Sequence, residues 1–455
     1  MKKLSRTISG VTPVAVMTKP APCPGMCVYC PSYGATPRSY TPESPAVLRA
    51  RSCEYDAGKQ IEIRLATLSG MEHPTDKVEL IIMGGTFLAT PIEYQYRFIK
   101  ECFDALNGVS SESLAEAQSI NETSCRRCVG LCIETRPDVC NEDDIRRMLA
   151  FGATRVELGV QLTDDTVYRK VNRGHTVAEV VNATSLLKRY GYKVHYHWMP
   201  GLPGSSLEND LELSRQLFDK TEFRPDGLKI YPTMVVEGTE LEGWYKTGEY
   251  MPYEDEVMLR LIADIKAMVP PYVRISRVLR DIPSKYITAG PRDSIREKVL
   301  YLMASRGQIC KCIRCREYGH RLKAGWEIGM PLLKRIDYRA SEGREIFLSI
   351  EDEHETLFGL LRLRVPDGNS IASFNKASVV RELHVFGPEL PLGKRNLRAA
   401  QHHGLGKTML AMAEKISLSE FGKNTILVLS GVGARDYYRG KGYQFSGGYM
   451  AKQLG

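Results

Sequence analysis

A chain of 455 residues exceeds what one hydrophobic core usually organises, so two domains, or one large barrel with an appendage, are expected. With 43% hydrophobic and 25% charged residues the composition is ordinary for a globular protein, no apolar run approaches the roughly 20 residues of a bilayer span, and the start MKKLSRTISGVTPVAV has too broken an apolar core for a signal peptide. That excludes a membrane partner and places the chain in the cytoplasm, while the net charge of +8 leans towards polyanionic partners without requiring one.

After a basic tail (1–13), short β-rich segments alternate with helical patterns: VAVMT (14–18), VELIIMGGT (78–86), GLCIETR (130–136), RVELGVQ (155–161), KVHYHWMPG (193–201) and DGLKIYPT (226–233). Between them, 93–106, 142–151, 176–190 and 207–218 carry apolar residues at three- and four-residue spacing. This rhythm predicts a parallel sheet with crossover helices, an α/β barrel or part of one, over 14–290. Chemistry in such folds gathers where strands end, which singles out Gly84, Gly85, Thr86, Glu134, Gln161, Met199 and Lys229. The serine-rich stretch 108–124 reads as an excursion or mobile loop.

Twelve cysteines sit partly in tight clusters, which in a reducing compartment favours metal over disulfides. Directly after the first strand, PCPGMCVYCP sets Cys23, Cys27 and Cys30 in a C-x3-C-x2-C pattern. Three thiolates this close suit a 4Fe-4S cluster and leave one iron open for a substrate. The loop, with Tyr29 before its last cysteine, resembles that of radical S-adenosylmethionine (SAM) enzymes, and the resemblance implies that the open iron chelates SAM and that the GGT at 84–86 approaches its amino group. The alternative is a zinc loop, which lacks a nearby fourth ligand. Cys125, Cys128 and Cys132 have the mirrored spacing, but Cys132 falls inside a strand and reads as a core thiol.

A basic connector (291–333) carries Cys310, Cys312, Cys315 and His320, a spacing that suits structural zinc, with His320 the weakest ligand. From 334 to 455 antiparallel-looking strands, one helix and a further strand mark a second, α+β domain. Its segments RELHVFGPELPL and QHHGLGKTMLAMAEKI resemble the acetyl-CoA site of Gcn5-related N-acetyltransferases. There the strand residues Glu382, Leu383, His384 and Val385, and the loop residues Gln401, His402, His403, Gly404, Leu405, Gly406 and Lys407, would hold the cofactor, its pyrophosphate at the positive end of a helix. Tyr437 and Tyr438 in GVGARDYYRGKGY could donate a proton or hydrogen bond to a thiolate or thioester oxygen.

With both cofactor loops in one chain, the stretches RTISGV, CVYCP, IETRPD, RVELGVQ, NRGHTV, DGLKIYPT and SGVGARDYY closely resemble the catalytic subunit of Elongator in its single-chain bacterial or archaeal form, from near residue 6 to about 451. The resemblance implies 5-carboxymethylation of the wobble uridine in the anticodon of tRNA, without need of other Elongator subunits. The implied route has a 5'-deoxyadenosyl radical taking a hydrogen from the acetyl methyl, the carbon radical adding to C5 of uridine, and thioester hydrolysis releasing CoA. Lys229 is then a candidate for handling the acetyl group, or simply an ion pair at a strand end. Two rivals are a protein lysine acetyltransferase with a structural iron-sulfur cluster, and an acetyl-CoA sensor or scaffold without a radical step. The short gap before Cys27 and the short basic N-terminus depart from eukaryotic members of the family and put the strength of tRNA binding in doubt. The connector KCIRCREYGHRLKAG is a plausible tRNA-facing surface.

Overall fold

The computed structural model describes residues 9–292, 295–368, 370–371, 374–375, 377–386 and 404–455. The six alternating segments form β1 (Thr12–Met17), β2 (Lys77–Met83), β3 (Arg127–Thr135), β4 (Arg155–Gln161), β5 (Lys193–Trp198) and β6 (Gly227–Ile230), and a seventh strand that is not among the expected segments, β7 (Arg274–Val278), completes the sheet. Every neighbouring pair is parallel, and spatial order follows chain order with β1 and β7 at the edges. The sheet is therefore a half-barrel of α/β type. Its alternation explains the layering: Val78, Leu80 and Ile82 are buried on one side of β2 beneath helices such as Ile92–Asn107, which contributes Phe98, Ile99, Phe103 and Leu106.

Helix starts follow local chemistry. Asn141 with Asp144, and Thr176 with Glu179, form capping boxes, and the helix Ile92–Asn107 ends on Gly108 in the left-handed region at φ 73°. The serine-rich stretch expected as a loop instead contains a helix, Leu114–Asn121, because the Ser113 side chain accepts from the Glu116 amide and Asn121 is fully buried.

The last third forms a second sheet: β8 (Leu332–Arg339), β9 (Gly343–Glu351), β10 (Leu357–Pro366), β11 (Ala377–Val385), β12 (Thr425–Val428), β13 (Gln444–Ser446) and β14 (Tyr449–Gln453), in the order β8-β9-β10-β11-β12-β14-β13. All its pairs are antiparallel except β11 with β12. The helix Leu405–Ser419 lays Met409, Leu410, Ala413 and Ile416 against it. This is the α+β unit, and it docks on the N-terminal ends of the barrel strands. Arg381 of β11 binds Asp226 and the Tyr192 carbonyl, and Arg362 of β10 binds the Tyr272 carbonyl. The fit is close: a Cβ on Gly431 would lie 2.2 Å from the Val129 carbonyl oxygen, and one on Gly433 would lie 2.4 Å from the Arg127 Cβ. Among the described residues, no helix is long and apolar enough to cross a membrane.

Candidate active site

The cysteine loop follows β1 at the C-terminal end of the barrel. Cys27 is buried, Cys23 and Cys30 are partly so, and the Cys23 sulfur lies 3.7 Å from Thr86 Oγ1. Arg173 Nη1 donates to the Cys27 sulfur at 3.4 Å. Burial disfavours a thiolate there, but Arg173 and Arg136 outweigh it and hold the Cys27 thiol below its ordinary value. Cys30 is pushed up to about 11, by burial first and then by the neighbouring Cys27. A metal ion would reverse that balance. The three sulfurs do not form a tight single-ion set, which accords with a cluster in which each thiolate binds a different iron.

Glycine is required beside this loop. A Cβ on Gly84, at φ 137°, would sit 1.9 Å from Thr18 Oγ1. Gln161 at the end of β4 has φ 73°, an uncommon conformation for a residue with a side chain. Its Oε1, Thr18 Oγ1 and Arg136 Nη1 are buried without a hydrogen-bond partner among the described residues. Orphaned polar atoms at one end of a barrel are what a bound polar cofactor would satisfy. Met199, buried, follows β5 and donates its amide to the Gln161 carbonyl at 2.6 Å.

Within the barrel, four strands bring Glu134, Glu157, His197 and Lys229 together. Lys229 Nζ contacts Glu134 Oε1 at 2.9 Å and also pairs with Glu157, while His197 Nε2 lies 3.2 Å from Glu157 Oε2 and the Tyr40 hydroxyl donates to Glu134 Oε2 at 3.0 Å. Burial disfavours the ammonium, yet the two carboxylates outweigh burial and hold Lys229 well above its ordinary value. Glu157 is held well below its own, against burial, by Lys229, His197 and Arg155. Lys229 is thus a fixed cation and not a free amine nucleophile. Although Glu134, Glu157 and His197 approach closely enough to bind a metal ion, the Lys229 ammonium already pairs with both carboxylates, and Arg155 supplies a second cation at Glu157.

A cavity of about 970 Å³ opens below this cluster. It reaches from Lys229 and Glu157 past Glu79 and His384 to Gly404, Gly406 and Tyr437. β11 and β12 pair in parallel only as far as Val380 and Val428, so beyond that point they separate towards the cavity. Gly404 caps the helix Leu405–Ser419 at φ 74°, and a Cβ on Gly406 would lie 3.1 Å from the Tyr437 hydroxyl. Tyr437 is 42% exposed and Tyr438 only 6%, packed edge-on between Tyr437 and Tyr443, so Tyr437 is the freer donor. Glu382, Leu383, His384 and Val385 all line the cavity, and the Glu382 carboxylate is paired there with Lys193 and Arg362. Leu405 and Lys407 lie in the first turn of the same helix; Gln401, His402 and His403 fall outside the described residues.

The sulfurs of Cys310, Cys312 and Cys315 lie within 4.8 Å of one another. His320 does not join them. Its Nε2 is 3.5 Å from Glu317 Oε2, because its short helix, Tyr318–Lys323, turns the ring towards that carboxylate. The buried Lys266 stands there instead, its Nζ 3.3 Å from the Cys310 sulfur and 3.9 Å from that of Cys315. No spacing rule could have found it, since it lies 44 residues away from Cys310. Cys128 and Cys132 are core thiols, the former pushed up to about 12 by burial, and Cys125 is exposed.

Residues 21–217 match the radical SAM superfamily and residues 225–304 the radical SAM C-terminal domain. The chain is 63% identical to a tRNA uridine(34) acetyltransferase of Dehalococcoides mccartyi, with 100% of both covered. It is 42% identical to Elongator complex protein 3 of Homo sapiens, covering 99% of this chain and 85% of that one. Among solved structures, the archaeal Methanocaldococcus infernus Elp3 with an N-terminal deletion superposes with a TM-score of 0.88 at 46% identity, covering 98% of this chain and 100% of that one.

Proposed function

Because the chain belongs to the radical SAM superfamily and, within it, to the family of the tRNA uridine(34) acetyltransferases and Elongator complex protein 3, we propose that it carboxymethylates carbon 5 of the wobble uridine of tRNA in the cytoplasm, taking the two-carbon unit from acetyl-CoA. The observation that carries this reading is the single cavity linking the glycine-capped helix Leu405–Ser419 to the Lys229 cluster beneath the cysteine loop. When bound, a 4Fe-4S cluster and SAM supply an electron and a 5'-deoxyadenosyl radical.

The residues divide the work. Cys23, Cys27 and Cys30 hold the cluster, with Arg173 donating to the Cys27 thiolate. Gly84 and Gly85, both at positive φ, let the backbone approach SAM, and Thr86, Glu134, Gln161 and Met199 border the same space. The amides at the start of the helix Leu405–Ser419 face the CoA pyrophosphate, Leu383 to Val385 offer backbone partners to its arm, and Tyr437 donates to the thioester or departing thiolate. Lys229, held as an ammonium, stabilises negative charge that develops on an acyl oxygen. Cys310, Cys312 and Cys315 hold a structural zinc, with Lys266 beside the thiolates.

Anaerobic incubation of the whole protein with SAM, a reductant, acetyl-CoA and tRNA, followed by nucleoside mass spectrometry, tests this directly. Carboxymethyluridine at position 34, dependent on both cofactors, is expected. Acetylated protein lysines formed without SAM cleavage would instead make the chain a protein acetyltransferase.

A further inference from the structure

A parallel barrel normally packs bulky branched side chains at its centre, but here Ala15, Glu79, Gly130, His195 and Ser276 surround a hollow. Alternation along β5 puts His197 on the same inward face as Lys193 and His195, two residues nearer the strand end. Its two ring nitrogens are in different situations. Nε2 lies 3.2 Å from Glu157 Oε2. Nδ1 is neither hydrogen-bonded nor sealed off among the described residues, in a side chain that keeps 16% of its surface exposed.

Charge balance does not call for this histidine. Lys229 and Arg155 both pair with Glu157, and Lys229 also pairs with Glu134. What the contact does is choose the tautomer. Glu157 is held ionised, so a neutral imidazole donates from Nε2 and keeps its lone pair on the open Nδ1. The Tyr231 ring packs edge-on against the imidazole, with centroids 5.2 Å apart, and fixes its plane. In the register of β5 with β6, His197 stands directly beside Lys229, roughly 5 Å away across the sheet. An oriented base and a fixed ammonium on one wall are the two groups that acyl hydrolysis needs, one to activate water and one to hold the oxyanion.

We propose that His197 is the general base of thioester hydrolysis, taking a proton from the water that attacks the acyl carbon once the two-carbon unit is joined to uridine. The inference rests on the carboxymethylation reading above and adds the residue that performs its last step. As the water oxygen bonds to the carbonyl carbon, Nδ1 takes its proton, and the carbonyl electron pair moves onto the oxygen beside Lys229. Collapse of that species breaks the C–S bond, and CoA leaves as its thiolate. The new carboxylic acid and the imidazolium then lose their protons to solvent. No oxidant or reductant enters, so this step is separable from the one that makes the carbon–carbon bond. Glu157, which touches only the histidine's far nitrogen, is a positioning residue.

The test uses the full reconstituted protein with SAM, reductant, acetyl-CoA and tRNA, quenched with hydroxylamine. A thioester surviving on uridine becomes a hydroxamate, which nucleoside mass spectrometry separates from the acid. His197→Gln keeps an N–H towards Glu157 but has no basic nitrogen. The parent should yield carboxymethyluridine, whereas His197→Gln should accumulate the hydroxamate, with conversion to the acid slowed about 100-fold or more. Imidazole added to His197→Ala should restore the acid, which it would not do for a merely structural histidine. Carboxymethyluridine formed by His197→Gln at the parental rate would overturn the assignment. Loss of both uridine products in His197→Gln, with no rescue of His197→Ala, would overturn it too, since the histidine would then serve folding or an earlier step. A parent protein that forms no uridine-linked product would overturn the carboxymethylation reading itself, and this step with it.

Discussion

Arg381 grips both carboxylate oxygens of Asp226 at 2.7 Å each, across 155 residues of chain. Arginine and carboxylate are both buried, and Glu345, Arg362 and Arg364 extend the pair into a network at the floor of the barrel. Removing one partner strands the other charge, so Arg381→Met should destabilise the protein by about 3–5 kcal/mol in urea unfolding, with part of that recovered by adding Asp226→Leu.

The same pair sets an acid limit. Burial favours the protonated carboxyl, but Arg381, Lys188 and Arg362 outweigh it and hold Asp226 well below its ordinary value. The unfolded chain therefore takes up this proton first. The contribution is complete above about pH 4 and is lost as pH falls through the folded value. Unfolding midpoints measured between pH 7 and pH 3 should fall steeply at the acid end, and Asp226→Asn should flatten that slope.

Cluster and core cysteines separate experimentally. Anaerobically reconstituted Cys23→Ala, Cys27→Ala and Cys30→Ala variants should lose their iron-sulfur absorption, whereas Cys128→Ala and Cys132→Ala, which remove buried thiols of the core, should keep it. Equal loss in both sets would mean that the absorption reports folding and not ligation.

Zinc analysis distinguishes Lys266 from His320. Cys312→Ala should lose the metal, and Lys266→Met should release it to a chelator about 10–100-fold more readily, as expected when a group touching the ligand sulfurs is removed. His320→Ala should retain it, since that ring faces Glu317.

At the glycine loop, Gly406→Val would press against the Tyr437 hydroxyl, 3.1 Å from the position of the new Cβ. Calorimetry should show acetyl-CoA affinity reduced about tenfold or more, equivalent to roughly 1.4 kcal/mol, with iron content unchanged.

Much of the architecture was readable because burial on one face of a parallel strand leaves a strong apolar signature, and helices declare themselves by spacing and caps. β1 to β6 fall where the β-rich segments lie, and the cysteine loop and Gly84 are where strand ends put them. What stayed hidden depends on pairings distant in sequence. Glu79, Glu157 and His195 look like ordinary polar alternation in a strand, and nothing local says that the inward face encloses a hollow. Lys266 reads as a solvent-facing helix residue until the fold brings it against the thiols. The 108–124 stretch looked irregular because serine caps and turns resemble each other in composition, yet one of those serines starts a helix.

The contact of Gly431 and Gly433 with the backbone of β3 limits how such a protein can change over time. Fused modules usually drift apart in sequence because a loose seam forgives a new methyl group, but here even alanine at 431 would collide with a carbonyl. The two halves are constrained to mutate in step, and a chimera exchanging only the last third between distant relatives should fail to assemble unless β3 is transplanted with it.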